Sequence, residues 1–161
     1  MRHTKYVLIY FLILCFAGCA SAKKEESNVI LVWHWMSDRD EAFQELAKKY
    51  EEETGTKVRF ELFAPSEVYA QRVKASAQTA TLPDIYGVRG EKRDFASFIK
   101  SGYIASLSPA LDEVVEGVAW KDKLFKKAVS VNEFPAGNEF GVEPGIYGVP
   151  LDVMTIQMVY N

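Results

Sequence analysis

The chain has 161 residues, about the length of one domain. At 48% hydrophobic and 13% aromatic it can bury a real core, which excludes a disordered chain. Its net charge is −3 and no basic stripe is visible, so nothing in it calls for nucleic acid.

Residues 1–18 read as a signal segment rather than part of the fold. Arg2 and Lys5 make a basic start, and 7–16 is an uncharged apolar run too short to span a bilayer as a mature helix. Phe16-Ala17-Gly18-Cys19 resembles a bacterial lipobox, in which the Cys is lipidated and becomes the new N-terminus. Phe16 stands where such boxes more often have Leu. The alternative is an ordinary secretory signal cut after Ala20-Ser21-Ala22. On the lipobox reading Cys15 leaves with the signal and Cys19 carries the lipid. No thiol then remains for a disulfide, a metal site or a nucleophile. Firm anchoring needs two acyl chains or more, which a lipoprotein N-terminus supplies. Without Arg2 and Lys5 the 19 basic residues fall to 17 against 22 acidic ones, a net charge of −5. Residues 19–28 are small and polar and read as a tether.

The apolar run 29–35 contains no Gly or Pro and reads as a strand buried on both faces. Ser37 or Asp38 can cap the helix that follows. Phe43, Leu46, Ala47 and Tyr50 fall on one face of that helix, and Gly55 ends it. Residues 56–63 alternate through Val58, Phe60 and Leu62 as a second strand. The whole is a strand–helix–strand unit with an expected right-handed crossover.

A second helix is predicted from the Pro65-Ser66 region to about Thr79, with Tyr69, Val73, Ala77 and Ala80 as its stripe. Residues 84–88 read as a third strand. Asp94 is the expected cap of a third helix, with Phe95, Phe98 and Ile99 inward and Gly102 at its end. Residues 103–107 read as extended, and Ser108-Pro109 opens a short helix with Leu111, Val114 and Val115 on its apolar side. Residues 120–129 read as helical, with Leu124, Phe125 and Ala128 inward and Lys121, Lys123, Lys126 and Lys127 on a solvated face. Residues 132–145 read as loop, then 147–150 and 153–160 as extended. The chain stops at Asn161 in what reads as mid-strand.

This order of pieces resembles the extracellular solute-binding proteins of ABC importers, in the group that serves sugars. The resemblance rests on Trp33-His34-Trp35 in the first strand and on the helix end from Tyr50 through Gly55 to Val58. Further support comes from Leu82-Pro83-Asp84-Ile85-Tyr86, from Gly102-Tyr103-Ile104 with Leu107-Ser108-Pro109, and from Tyr147-Gly148-Val149-Pro150 running to Tyr160-Asn161. It implies an α/β, periplasmic-binding-protein-like (type II) lobe with a mostly parallel sheet and helices on both faces. Residues 29–161 match the N-terminal lobe of a two-lobed clamp and stop about where the chain would cross to the second. A fragment or a truncated product is therefore expected, with an exposed lobe interface. The implied partners are a small solute, here a carbohydrate, the permease subunits of the importer, and the membrane through Cys19. No cofactor is implied, and a monomer is expected.

Ligands of open α/β sheets lie beyond the carboxyl ends of the strands. That places Trp35, Ser37, Asp38, Phe63, Arg89 and Asp152 at the candidate site. Aromatic faces stack on the C–H side of a sugar, and planar charged groups take its paired hydroxyls. Each residue has a plainer reading: Trp35 as core, Asp38 as a cap, Arg89 paired with Glu91 or Asp94, and Asp152 fixing a turn. His34 has no His or Cys partner for a metal and reads as a satisfied strand residue. No nucleophile–base pair is apparent, so an enzyme is not expected. Two other functions stay open: a binding protein for a polyamine, iron or another small solute, and a non-binding surface lipoprotein remnant.

Overall fold

A computed structural model describes residues 28–151. The signal segment, Cys19, Asp152 and the extended segment 153–160 lie outside the described residues. The first strand, β1, spans Val29–His34, and a 3-10 turn at Ser37–Arg39 leads into α1, Asp40–Thr54. β2 is Lys57–Leu62, α2 is Ser66–Thr79, β3 is Ile85–Tyr86 and α3 is Lys92–Lys100. The three strands form a parallel sheet in the order β2-β1-β3, with Val32 opposite both Phe60 and Ile85. The fold is α/β, with helices on both faces of this sheet.

Alternation along β1 sends neighbouring residues to opposite helices. His34 meets Phe43 of α1 and Phe60 of β2 edge-on, and Phe43 stacks on Phe60 at 5.0 Å and 10°. On the other face Trp33 is buried with Tyr69 and Val73 of α2. Burial of each such large apolar side chain contributes about 1.5–3 kcal/mol. Only Trp33 and His34 of β1 are fully buried; the four residues before them are half-buried. Leu46 and Tyr50, predicted to face the core, are 58% and 45% exposed.

Helix ends follow backbone chemistry more than the predicted caps. Neither Ser37 nor Asp38 caps α1; the 3-10 turn intervenes, and Arg39 takes the cap position without a side-chain bond. Gly55 ends α1 at φ 71°, its N–H bonded to Glu51 O. Ala80, placed on the inner stripe of α2, is instead its left-handed end at φ 54° and is exposed; Ser76 is buried in the stripe. Asp94 is not the cap of α3 but stands three places in, where its Oδ2 accepts the Glu91 N–H at 3.1 Å.

The rest of the described chain departs further from its local periodicity. A four-residue helix, α4, spans Ser108–Leu111. Val114 and Val115 are exposed and form β4, paired antiparallel with β5 at Val118–Ala119. Glu116 and Gly117 both have positive φ, the turn that matches strand twist in a two-residue hairpin. The predicted helix at 120–129 is broken into a 3-10 turn, Trp120–Lys123, and α5, Lys126–Val131. Leu124 adopts an extended backbone at the break, and Phe125 is 63% exposed rather than inward. Lys121 and Lys123 pair with Asp112 and Glu116.

The predicted loop 132–145 includes β6, Glu133–Phe134, paired antiparallel with β7, Gly145–Ile146. Phe134 is 1% exposed and centres a second core cluster with Ala96, Val142 and Tyr147. Asn138 organises the turn: its amide donates to Pro135 O and Val142 O at 2.8 and 2.7 Å, and its oxygen accepts from Phe140 N and Val142 N. A third cluster, Leu111, Val129 and Ile146, ties α4 and α5 to β7.

Candidate functional site

β3 has only two residues, yet both its ends are fixed. Before it, the Asp84 carboxylate accepts the Leu31 N–H at 2.8 Å. After it, the Tyr69 hydroxyl accepts the Gly87 N–H at 2.8 Å and has the carbonyls of Gly87 and Trp33 at 3.0 and 3.3 Å, one of which takes its hydrogen. Tyr69 thereby replaces the ladder where strand pairing stops, and it sets the direction in which the chain runs on to Arg89. Burial pushes the Tyr69 hydroxyl up to about 12, against the lowering effect of its Gly87 bond.

The same tyrosine seats Trp35, the residue after β1. Their rings lie 4.9 Å apart at 50°. Gly87 is needed beneath that indole, because a Cβ there would sit 2.9 Å from Trp35 Cζ3. The Arg89 guanidinium lies over the Trp35 ring at 5.0 Å. Two of the predicted site residues, one after β1 and one after β3, are therefore brought together at the carboxyl end of the sheet.

The others are more dispersed. Ser37 and Asp38 are exposed in the 3-10 turn, and Asp38 pairs with Arg39 at 3.6 Å. Phe63 packs edge-on against Trp33 at 5.0 Å, with the Arg72 guanidinium over it at 4.2 Å, so its ring is largely engaged within the protein. Arg89 forms no ion pair with Glu91 or Asp94; Asp94 is occupied by the Glu91 N–H. Glu67, at the start of α2, is held below the ordinary carboxylate range first by a backbone hydrogen bond and then by the Ser66 hydroxyl, with a smaller contribution from Arg89. Tyr69, Arg72 and Gly87 were missed as site-shaping residues. Tyr69 read as one member of an apolar stripe, and nothing local marks where its hydroxyl ends up.

His34 is 3% exposed, and its Nε2 donates to Asp40 Oδ1 at 3.0 Å. Its Nδ1 is buried with no hydrogen-bond partner among the described residues, so its polar demand is half met rather than satisfied. Among the described residues no group of three or more His, Cys, Asp or Glu is placed to hold a metal. No helix among them is long and apolar enough to cross a membrane.

A groove of about 910 Å3 runs along the open α1 face of the sheet, past Ile30, Val32, Leu46, Tyr50, Ile85 and Leu151. Its lining is mainly hydrocarbon, suited to packing against apolar groups and not to holding a polyol. The groove reaches the strand ends at Trp35, where the Arg89 guanidinium adds a charged group.

A comparison with curated proteins returns no match. The family model described as bacterial extracellular solute-binding protein matches residues 34–161, from the last residue of β1 onward. With the parallel sheet and its strand-end rim in place, that match shows that this chain belongs to the bacterial extracellular solute-binding protein family.

Proposed function

We propose that this protein captures a carbohydrate outside the cytoplasm for the permease subunits of an ABC importer. In this reading the chain contributes the first lobe of a two-lobed clamp and is anchored by lipid at Cys19. The observation that carries the carbohydrate reading is the Trp35–Arg89 pair at the carboxyl end of the sheet. An indole held from behind can stack on the C–H face of a sugar, and a guanidinium can take its oxygens. In this reading Ser37 and Asp38, in the turn after Trp35, Phe63 after β2, and Asp152, which follows Leu151 in sequence, supply further contacts.

The test is calorimetric titration of the protein from its complete reading frame with saccharides, polyamines and ferric citrate. Saccharide binding is expected, with Trp35→Ala weakening it about tenfold or more while the fold survives. Heat from a polyamine or ferric citrate, with none from any saccharide, would overturn the carbohydrate reading. For the anchor, Cys19→Ser should move the protein from the membrane to the soluble fraction. A substituted protein that stays membrane-bound, together with no palmitate label on the Cys19 form, would rule the lipid out.

A further inference from the structure

We propose that Arg89 selects a carbohydrate bearing a carboxylate, a uronic acid unit, over its neutral counterpart; this rests on the carbohydrate reading above. The rim of the sheet has an uneven supply of polar groups. Among the described residues each of its carboxylates has a protein partner. Asp38 pairs with Arg39, Asp40 accepts from His34 and from Gln44, Glu67 accepts from the Ser66 hydroxyl, and Asp94 accepts the Glu91 N–H. Arg89 differs from them. Its guanidinium rests over Trp35 at 5.0 Å, and it makes no hydrogen bond or ion pair among the described residues.

A neutral sugar presents hydroxyls that both donate and accept, and is served equally well by carboxylates and by cations. Among the described residues the group whose N–H donors have no acceptor is a cation that only donates. The chemistry that answers it is an acceptor carrying negative charge, and a planar carboxylate matches the guanidinium fork with two parallel bonds. Contact with the indole uses the face of the guanidinium and leaves N–H donors for such a partner. Trp35 is itself fixed by the close approach of Gly87 and by the Tyr69 ring, so the cation rests on a fixed support. A uronide can then place its carboxylate at Arg89, with its ring beside the indole. The whole chain carries a net charge of −3, which provides no long-range attraction for an anion. The preference should therefore appear in the dissociation rate rather than the association rate.

The experiment is calorimetry on the protein from its complete reading frame. The probes are glucuronate- and galacturonate-containing oligosaccharides beside the matching neutral gluco- and galacto-oligosaccharides. Wild type should bind one of the acidic sugars about tenfold or more tighter than its neutral match. Arg89→Gln should remove that preference, lowering acidic-sugar affinity about tenfold more than it lowers neutral-sugar affinity. Arg89→Lys, which keeps the charge and loses the fork, should retain part of it and also covers the case in which the Gln variant does not fold. Equal or tighter binding of the neutral sugar overturns the Arg89 inference while the carbohydrate reading stands. An acidic preference that persists in folded Arg89→Gln overturns the role of Arg89. Absence of binding to either kind of saccharide, by wild-type protein with a cooperative thermal transition, overturns both readings.

Discussion

Tyr69 links the core to the rim through one oxygen. Its ring is fully buried, and its hydroxyl accepts the Gly87 N–H that follows β3 and donates to the carbonyl of Gly87 or of Trp33. Tyr69→Phe would leave those groups short of partners, a cost of about 1–3 kcal/mol in an unfolding titration near neutral pH. The raised ionisation gives the same residue a signature in alkali. The unfolded chain ionises its tyrosines near pH 10, whereas folded Tyr69 holds its proton to about 12. The stability from neutral Tyr69 is thus fully present below pH 10 and is lost as the pH rises from 10 toward 12. The unfolding free energy of wild type should fall more steeply across that window than that of Tyr69→Phe. Parallel curves would mean that the hydroxyl is less buried than it stands here.

At the scale of elements, the parallel part of the fold is built from local periodicity and the rest from particular side chains. Asn138 is the clearest case. With four hydrogen bonds it turns a Gly- and Pro-rich segment into a structured connection between β6 and β7. It thereby holds Val142 beside Phe134 in the core. Asn138→Ala should lower stability by about 1–3 kcal/mol, read as the midpoint shift in a urea titration. It should also raise amide exchange at Phe140 and Val142, whose N–H groups bond to the lost oxygen. Unchanged exchange at those two amides would show that the turn is held by its ends instead. Asn138→Asp keeps the acceptor and loses both donor bonds, so it should retain protection at those amides while still losing stability.

At the scale of the whole molecule, the two faces of the sheet are finished to different degrees. Among the described residues the α2 face is closed by Trp33, Tyr69 and Val73, whereas the α1 face leaves Leu46, Tyr50, Ile85 and Leu151 in an open apolar groove. A contiguous exposed patch of this kind marks a surface that binds other apolar matter. A protein of residues 28–151 should therefore enhance the fluorescence of a hydrophobic dye such as ANS. Lys at both Leu46 and Tyr50, on the exposed side of α1, should reduce that enhancement with little loss of thermal stability. If the substituted protein binds dye as strongly, the dye reports another surface and the groove is narrower in solution.

What the sequence determined by itself was whatever depends on short-range spacing. The alternation of 29–35, the helical stripe through Phe43 and Ala47, and the Gly55 stop specify β1, α1 and β2 in order, because each of those signals lies within a turn or a pleat of itself. The hairpin at Val114–Ala119 was also legible, since Glu116-Gly117 is a two-residue turn, but the helical spacing of Leu111, Val114 and Val115 masked it. The site was legible only in part. Strand-end position is enough to nominate Trp35 and Arg89, yet their stacking depends on a tyrosine hydroxyl and on a glycine with no side chain in the way. Those arrangements join groups that are far apart along the chain, as do the four bonds of Asn138 to a core that other segments complete. Only the tertiary structure could decide them, because the free energy that fixes each comes from partners brought together by the fold.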